Sequence, residues 1–407
     1  MVALLAGDGK STVVPAKRAA EWWVEVIDHP SELASRSAMW DDLAWNAIEP
    51  NPFYEAALLI PAMERFPDAR VSVALVYRSG ARVKDSAELC GLFPFVTERR
   101  GWLTVRSLWK HIYCFLCTPL IRQGVAIETL RTLWNWLEAD SKGPAVWSLP
   151  HIAAEGPFQQ ALVDVMRERQ ALSFVSHQYN RALLRPGDDA ESYCAAHMTC
   201  HNRQELRRQR RRLQEQGRID VRWSDPNDDM TPWIDHFLAL ESGGWKGREQ
   251  SALAAAQADA EYFRSIVTNA GLNHQVGFLG LFLDDRPIAL KVNFLSGAGS
   301  FAFKIAFDES LAKFSPGVQL ELENIEWVHQ QRGIEWMDSC AKPDHFMISR
   351  LWGQQRTIQH LYLSTGRRTG DLAVGLMPAL RAVRHVFRRQ KPTSKPITPA
   401  SPAGTPR

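Results

Sequence analysis

The sequence predicts an α+β fold, an α/β sandwich that occurs twice along the chain. Strand and helix patterns follow the order β-β-β-α-β-α in each half. A local match supports the repeat, since VWSLP at 146–150 and EWMDS at 335–339 each precede a helix start marked by Pro. Ordered units of this kind are typical of sheets covered by helices and repeated in tandem.

The first copy begins with strands predicted near 71–77 and 87–96. A helix is predicted over 126–139, followed by a strand over 145–149. A second helix is expected to open near Gly156 and Pro157, because Pro is favoured at the first position of a helix.

The second copy repeats this order with strands predicted at 275–283, 287–295 and 301–307. In the last of these, apolar residues alternate with a period of two, which indicates a strand. Ser315, Pro316 and Gly317 then open a helix that runs to about 331, because Ser and Pro are strong start signals. A strand over 334–338 and a helix that opens near Pro343 complete the copy.

The region between the copies, 192–217, is predicted to be mostly helical and ends in an arginine-rich stretch. A further helix is predicted at 233–240, before a glycine-rich loop at 243–248. Near the end, 371–389 is a basic amphipathic segment, in which Pro378 predicts a kink or the start of a shorter helix. Residues 1–20 and 391–407 are expected to be tails, the second of them disordered.

Length and composition limit the classes of function. A chain of 407 residues is expected to form two domains. The net charge of +3, from 48 basic and 45 acidic residues, does not favour a nucleic-acid or polyanion binder. The 15 Trp residues indicate a large aromatic core or flat aromatic surfaces for sugar or lipid.

The sequence also predicts a location. We find no run of about 18 apolar residues that would predict a membrane span, and no secretory signal. The six scattered cysteines favour reduced thiols in the cytoplasm. A metal site is not expected, since Cys114 and Cys117 lack a second pair and the residues at 194–201 lack zinc-ligand spacing.

A phosphate site is predicted where the strand 301–307 leads to the helix start at Ser315. A helix start presents free amide groups and the positive end of the helix dipole. Lys304 lies close enough in sequence to take part. The plain alternative is a capped helix start with no ligand.

Several of these landmarks together resemble the cellulose-biosynthesis (CelD-type) acyltransferases of the GNAT superfamily, which are relatives of the tandem-GNAT Fem aminoacyltransferases. The stretches that carry the resemblance are EPNPFY at 49–54, the arginine-rich helix 203–217, LE at 240–241, GWKGR at 244–248, KIAFD at 304–308, FSPG at 314–317, DSC at 338–340 and PD at 343–344. They are more specific in combination than singly. After Arg248 the sequence EQSAL departs from the family pattern, which bears on acceptor choice.

The resemblance implies tandem duplicated GNAT-like domains with mixed central sheets flanked by helices. We predict a flexible tail at 1–20, GNAT-like domains at 21–185 and 186–370, an amphipathic basic helix at 371–390 and a disordered tail at 391–407. The C-terminal unit is expected to bind acetyl-CoA or another acyl-CoA as co-substrate, with no metal.

The candidate site residues fall into three groups. Asp338 and Asp308 are the candidates for general base, since acyl transfer needs the proton of the acceptor removed, and Lys304 would neutralise phosphate or steady an oxyanion. The cofactor-binding candidates are Ser315, Pro316, Gly317 and Val318, and the acceptor contacts are Trp245, Lys246 and Arg248. For both aspartates a helix cap or a salt bridge is the structural alternative, and for Cys340 it is a buried thiol.

The expected function is transfer of an acetyl or short acyl group to an amine or hydroxyl of a sugar, cell-envelope or polysaccharide precursor. The alternatives are a Fem-like transferase that uses aminoacyl-tRNA, and a non-catalytic pathway subunit that retains the fold. A nucleic-acid partner is disfavoured because Glu205 and Glu215 lie on the arginine-rich helix and aromatic residues do not alternate with its arginines. A cytoplasmic location is expected, with peripheral contact to the inner membrane through 371–390 as one option and packing of that helix on the second domain as the default.

Overall fold

The computed structural model describes residues 21–79, 87–139, 143–250, 252–343, 345 and 347–389. The side chains of 245, 246 and 383–389 are also outside this description. The tails predicted at 1–20 and 391–407 therefore lie outside the described residues.

Within these residues, thirteen strands form a single mixed sheet. In chain order they are β1 (Trp22–Ile27), β2 (Ser72–Ser79), β3 (Ala87–Arg100), β4 (Leu103–Leu108), β5 (Leu120–Ile121), β6 (Val146–Ala153), β7 (Ser173–Leu184), β8 (Ile219–Trp223), β9 (Val276–Leu283), β10 (Arg286–Ser296), β11 (Gly299–Phe307), β12 (Trp336–Asp338) and β13 (Gln354–Ser364).

Helices cover this sheet. They are α1 (Pro30–Ala34), α2 (Ser37–Trp45), α3 (Ala56–Arg65), α4 (Ala126–Ala139), α5 (Pro157–Glu168), α6 (Ala190–His197), α7 (Cys200–Gln214), α8 (Thr231–Gly243), α9 (Trp245–Arg248), α10 (Gln257–Leu272), α11 (Pro316–Gln330), α12 (Ile348–Leu351) and α13 (Arg368–Arg389). Short 3-10 turns include Pro52–Tyr54 and Glu309–Phe314. The predicted sandwich with helices flanking a mixed sheet is confirmed.

The order of strands shows how the two halves are joined. Across the sheet it runs β1-β2-β3-β4-β6-β13-β7-β12-β11-β10-β9-β8, and β5 pairs with β3. The last strand of the first half, β7, pairs with β12, and the last strand of the second half, β13, pairs with β6. The halves therefore exchange their final strands, and β7 and β13 pair with each other at the centre.

The repeat extends to the direction of the strands. In the first half β4 pairs in parallel with β6 over three residues, Val105 to Ser107 against Val146 to Ser148. In the second half β11 pairs in parallel with β12 over three residues, Gly299 to Phe301 against Trp336 to Asp338. Each half thus has one short parallel pair at the same place in its order of strands.

The hydrophobic core is continuous between the halves. The Phe53 ring packs edge-on against Phe301 with centroids 5.9 Å apart, and Phe115 packs in the same way on Phe303 at 5.8 Å. An ion pair of 2.7 Å between Arg65 of α3 and Asp259 of α10 adds a polar contact. Burial of aromatic rings across the junction holds the two halves as one unit.

One local prediction was wrong and another was wrong in part. The helix predicted near Pro343 begins at Ile348 and has one turn. Pro378 does not start a shorter helix, since α13 runs through it from Arg368 to Arg389, and the alternative of a kink stays a prediction. The predicted helical region 192–217 is confirmed as α6 and α7. The division at 185/186 falls between β7 and α6 and stays a prediction.

Candidate functional site

The strands β11 and β12 diverge after a short contact. In the described part of the chain they pair only as far as Phe301 and Asp338. β11 then continues to Phe307, whereas the chain after Asp338 turns away at Cys340, which has a φ of 52°. The edge of β11 that faces β12 is therefore not paired with that strand from 302 to 307.

A β-bulge lies at the same place. Val292 of β10 pairs with Lys304 and the next residue, Asn293, pairs with Ala302, so Phe303 is the extra residue. Bulges re-aim side chains and interrupt the ladder of hydrogen bonds, and they occur often beside active sites. The bulge and the divergence together mark the centre of the candidate site.

The predicted phosphate site at the start of α11 has some features that suit an anion and some that do not. Ser315 precedes the helix in the left-handed region, with a φ of 52°, and its side chain makes no cap hydrogen bond. The Val318 amide donates to the Ser315 carbonyl at 2.9 Å, so this amide already has an acceptor. A Cβ added at Gly317 would lie 3.2 Å from the Phe307 ring, which gives the glycine a packing role.

Lys304 lies beside a carboxylate. Its Nζ is 3.1 Å from Oε1 of Glu241, a residue of α8 that is only 2% exposed. The other carboxylate oxygen of Glu241 accepts a 2.8 Å hydrogen bond from the Leu253 amide. Lys304 also lies 5.7 Å from the centre of the Tyr113 ring, which belongs to the first half. These contacts join α8 to β11 at the bulge.

The three predicted acceptor contacts lie on α9, next to the end of β11. Arg248 pairs with Glu309 at 2.6 Å. The side chains of Trp245 and Lys246 lie outside the described part of the chain. Two ion pairs, Lys304 with Glu241 and Arg248 with Glu309, thus bring together stretches that carry the family resemblance, 240–241 and 244–248 on one side and 304–308 with the adjacent Glu309 on the other.

Asp308 has the contacts of a structural cap. It accepts a 2.9 Å hydrogen bond from the Ser310 amide and pairs with Arg286 at 2.6 Å. Partial burial raises the pKa of Asp308, but the Ser310 hydrogen bonds and the Arg286 charge outweigh it and hold the pKa below its ordinary value. A weakly basic carboxylate with these partners is better suited to fixing the turn at 309–314 than to taking up a proton.

Asp338 is fully buried and paired with two arginines. Its Oδ2 lies 2.6 Å from Arg181 of β7 and 3.2 Å from Arg356 of β13, and its Oδ1 accepts a 2.9 Å hydrogen bond from the Cys340 amide. Burial raises the pKa of Asp338, but the charges of Arg181 and Arg356 outweigh it and the pKa is lowered. Because both oxygens are engaged, the geometry favours a positioning role over that of general base.

The thiol of Cys340 is buried next to this aspartate. Burial and the Asp338 charge raise the pKa of the Cys340 thiol well above its ordinary range. Since the thiolate is the nucleophilic form of cysteine, Cys340 has the surroundings of a structural thiol, as the sequence favoured. All six cysteines of the chain are free.

The arginine-rich helix α7 lines a wide groove. Three of its arginines form ion pairs, Arg207 with Glu191, Arg208 with Glu205 and Arg210 with Glu323. A groove of about 1190 Å³ lies between α6, α7 and α11. Glutamates of α6, α7 and α11 thus offset part of the positive charge.

Sequence reasoning missed a second set of polar residues where the halves meet. Glu49, Arg356 and Trp336 line a cavity of about 340 Å³. Glu49 belongs to a stretch that carries the family resemblance but was not predicted as a site residue. Arg356 lies in a strand whose sequence has no distinctive pattern. The signal that was available is a glutamate three residues before the apolar stretch 52–54, whose side chains are all buried.

Comparison with known proteins found a family model that matches the segment containing the bulge. The family model that matches is described as an acetyltransferase (GNAT) domain. Residues 201–346 match it. This GNAT match begins within α7 and ends after β12, and so includes β11, α11 and β12. A search of curated proteins found no match.

Solved structures with the same overall fold include FemX, with 10% identity, a TM-score of 0.52, and coverage of 80% of this chain and 95% of that one. A conserved protein of unknown function from Bacteroides thetaiotaomicron has 11% identity, a TM-score of 0.51, and coverage of 84% and 99%. A tandem GNAT protein from the clavulanic acid biosynthesis pathway covers 86% and 99%, at 11% identity and a TM-score of 0.42. At these identities the first two similarities show the fold alone.

Two further findings concern metals and membranes. The described residues contain no group of three or more His, Cys, Asp or Glu side chains placed to hold a metal ion. None of the helices in the same residues is both long and apolar enough to cross a bilayer.

Proposed function

We propose that this protein is an acyltransferase of the cellulose-biosynthesis type, which moves an acetyl or short acyl group from acyl-CoA to an amine or hydroxyl of a sugar, cell-envelope or polysaccharide precursor. The observation that carries the proposal is the divergence of β11 from β12 at the Phe303 bulge, within the segment that matches the GNAT domain. Acyl-CoA, when bound, supplies the activated acyl group.

The edge of β11 at 302–307 is the proposed seat of the co-substrate. An extended chain that carries amide groups adds to an open strand edge through main-chain hydrogen bonds. The first turn of α11, at Ser315, Pro316, Gly317 and Val318, is the proposed neighbour of the phosphates. The dipole of a 15-residue helix favours an anion there, even though the Val318 amide already donates to Ser315.

The catalytic roles follow from the contacts of each side chain. Lys304, held by Glu241, is proposed to place positive charge beside the bulge, where an oxyanion would develop. Asp338 is proposed to position Arg181 and Arg356, with direct proton transfer by Asp338 or Asp308 as the weaker proposal. Trp245, Lys246 and Arg248 remain the proposed acceptor contacts.

Binding of acyl-CoA is the test of this function. A thermal-shift series with acetyl-CoA, longer acyl-CoAs and free CoA is expected to raise the Tm of the protein. Gly317→Asp is expected to weaken that binding at least tenfold, since it adds negative charge at the helix start. Gly333→Asp is the matched control, in a position with open space around it. The absence of a shift with every CoA compound would contradict the proposal and favour a non-catalytic subunit.

A Fem-like transfer from aminoacyl-tRNA is the second candidate. The fold similarity to FemX and the groove beside the arginine-rich α7 favour it. Binding to phosphate backbones weakens steeply as salt rises. Titration with a mixed tRNA pool at two salt concentrations therefore separates the candidates, and tight, salt-sensitive binding without any acyl-CoA binding would select the second.

A further inference from the structure

The two halves line an open cavity of about 340 Å³ beside the centre of the sheet. The first half contributes Glu49 and the start of α5 at Gly156, and the second half contributes Trp336, Arg356 and Thr357. Sites for small molecules have volumes of about 300–1,000 Å³ and are common between domains. The cavity is therefore of the size that one small ligand needs.

Glu49 carries an unsatisfied oxygen in this cavity. Its Oε1 accepts a 2.9 Å hydrogen bond from the Phe158 amide at the start of α5. Its Oε2 is buried and has no hydrogen-bond partner among the described residues. Arg356 Nη2 forms an ion pair with it at 3.6 Å, a distance too long for a hydrogen bond, so the hydrogen-bonding capacity of Oε2 stays unused. Buried polar atoms are nearly always hydrogen-bonded, so an orphan carboxylate oxygen on a cavity wall calls for a donor from a ligand.

The position of Glu49 is fixed by its surroundings. Gly156 has a φ of 111°, and a Cβ there would lie 2.5 Å from Glu49 Oε1. Asn51, two residues further on, donates from Nδ2 to the carbonyls of Leu116 and Thr118, at 3.2 and 2.8 Å. The carboxylate is therefore held against the helix start, and Oε2 is the atom left to meet a ligand.

The charged side chains that line the cavity balance one another, and this selects the class of ligand: two are acidic, Glu49 and Glu155, and two are basic, Arg185 and Arg356. Arg356 lies close to Glu49 and also 3.2 Å from Asp338, so a cationic ligand would meet its repulsion. An anionic ligand would meet the Glu49 carboxylate. A neutral hydroxyl group satisfies Oε2 without either penalty, because it donates a hydrogen bond and carries no charge.

Other residues of the cavity fit a ligand with several hydroxyl groups. Gln355, Thr357 and Arg185 offer polar atoms, and Trp336 forms a wall. The guanidinium of Arg356 lies 5.1 Å from the centre of the Trp336 ring, so the two side chains support each other. Polar groups next to an aromatic wall suit a ligand that has both hydroxyl groups and a C–H surface.

We propose that this cavity binds one neutral sugar ring, and that Glu49 Oε2 accepts a hydrogen bond from one of its hydroxyl groups. Arg356 connects the cavity to Asp338, the last residue of β12 to pair with β11. The sugar is one unit of the acceptor in a subsite apart from the α9 contacts, since Trp336 pairs with the first residue of β11 whereas α9 lies beside its end. That role rests on the proposed function, whereas binding of the sugar does not.

The test is sugar binding by the full chain without any acyl-CoA. Methyl β-D-glucopyranoside and N-acetyl-D-glucosamine serve as neutral probes, and protonated D-glucosamine as the cationic one, measured by saturation-transfer NMR and calorimetry. We expect at least one neutral probe to bind, and D-glucosamine to bind no more tightly. Glu49→Gln is expected to weaken binding at least tenfold, because its amide nitrogen cannot accept a hydrogen bond.

Glu55→Gln is the matched control, since Glu55 is a buried glutamate outside this cavity whose two oxygens accept hydrogen bonds from Ser296 and Gln275. It is expected to leave sugar binding within twofold. Urea unfolding of each variant shows that it is folded. The proposal is overturned if no neutral probe binds, if Glu49→Gln binds as wild type does, or if both variants lose binding equally. Failure to bind acyl-CoA leaves this result unaffected and refutes only the transfer reaction.

Discussion

Three buried carboxylates of this protein have different surroundings, and the differences decide what each of them does. Asp338 is paired with two arginines, which lower its pKa. Glu49 has one backbone donor and a long ion pair with Arg356, and burial raises its pKa. Glu55 accepts hydrogen bonds from the neutral side chains of Ser296 and Gln275, and burial raises its pKa to about 7. The type of residue alone predicts none of this, because the partners come from distant parts of the chain.

The Asp338 pairs make a prediction about stability. In Asp338→Asn, Arg181 and Arg356 lose their carboxylate while Arg181 stays buried. Removal of one member of a buried ion pair costs about 3–5 kcal/mol, so the free energy of unfolding in urea should fall by that amount. Asp308→Asn is the control, since it weakens a cap and a more exposed ion pair, at a cost of about 1 kcal/mol. Equal stability of Asp338→Asn and wild type would contradict the positioning role.

Glu55 makes the stability depend on pH. Its pKa is about 7 in the folded protein and 4.5 by its ordinary value, so the folded state holds the proton more tightly. The protonated Glu55 therefore adds to the free energy of unfolding, by about 3 kcal/mol at most. This added stability is fully present below pH 4.5 and is lost as the pH rises through about 7. Glu55→Gln should remove that dependence in urea unfolding between pH 5 and 8. A variant with the wild-type slope would refute the assignment to Glu55.

At the scale of elements, the starts of helices show both the strength and the limit of sequence signals. Pro157 and Pro316 correctly predicted where α5 and α11 begin. Pro343 predicted a start that lies five residues too early, and Pro378 sits inside α13. Proline is compatible with a helix start and with several other conformations. Tertiary packing decides among them, and α13 packs on the sheet through Val374.

The start of α5 gives a prediction of its own. Gly156 combines a φ of 111° with contact to Glu49, so Gly156→Ala would strain the backbone and displace the carboxylate. We expect a loss of about 1–3 kcal/mol in urea unfolding. Gly187→Ala is the control, with no atom near the added methyl group, and should change the stability by less than about 0.5 kcal/mol. Equal effects of the two substitutions would contradict the account of α5.

We propose that the helix α13 makes the peripheral contact with the membrane. Leu372, Leu376 and Leu380 are 57, 50 and 58% exposed on one side of it, and its sequence also holds several arginines. An amphipathic helix of this kind binds anionic lipid surfaces. Wild type is expected to sediment with phosphatidylglycerol vesicles, and a triple Leu→Ser variant to stay in solution. Equal sedimentation of both proteins would reject the membrane role.

At the scale of the whole molecule, the sequence predicted the repeated order of strands and helices but not how the halves combine. Periodicity shows which residues face the core of one unit. It carries no information on whether β7 pairs within its own half or with β12, because either arrangement buries the same side chains. The exchange of β7 and β13 therefore appears only in the structure. The cavity beside Glu49 follows from the same exchange, since β13 supplies Arg356.

The central claim is that the C-terminal half holds acyl-CoA at the open edge of β11. Hydrogen exchange measured by mass spectrometry, with and without acetyl-CoA, tests it most directly. The account predicts slower exchange of amides in 302–307 and 317–320 when acetyl-CoA is present, and no change in the equivalent strand of the first half, 103–108. Protection confined to the first half, or protection in neither segment, would contradict it.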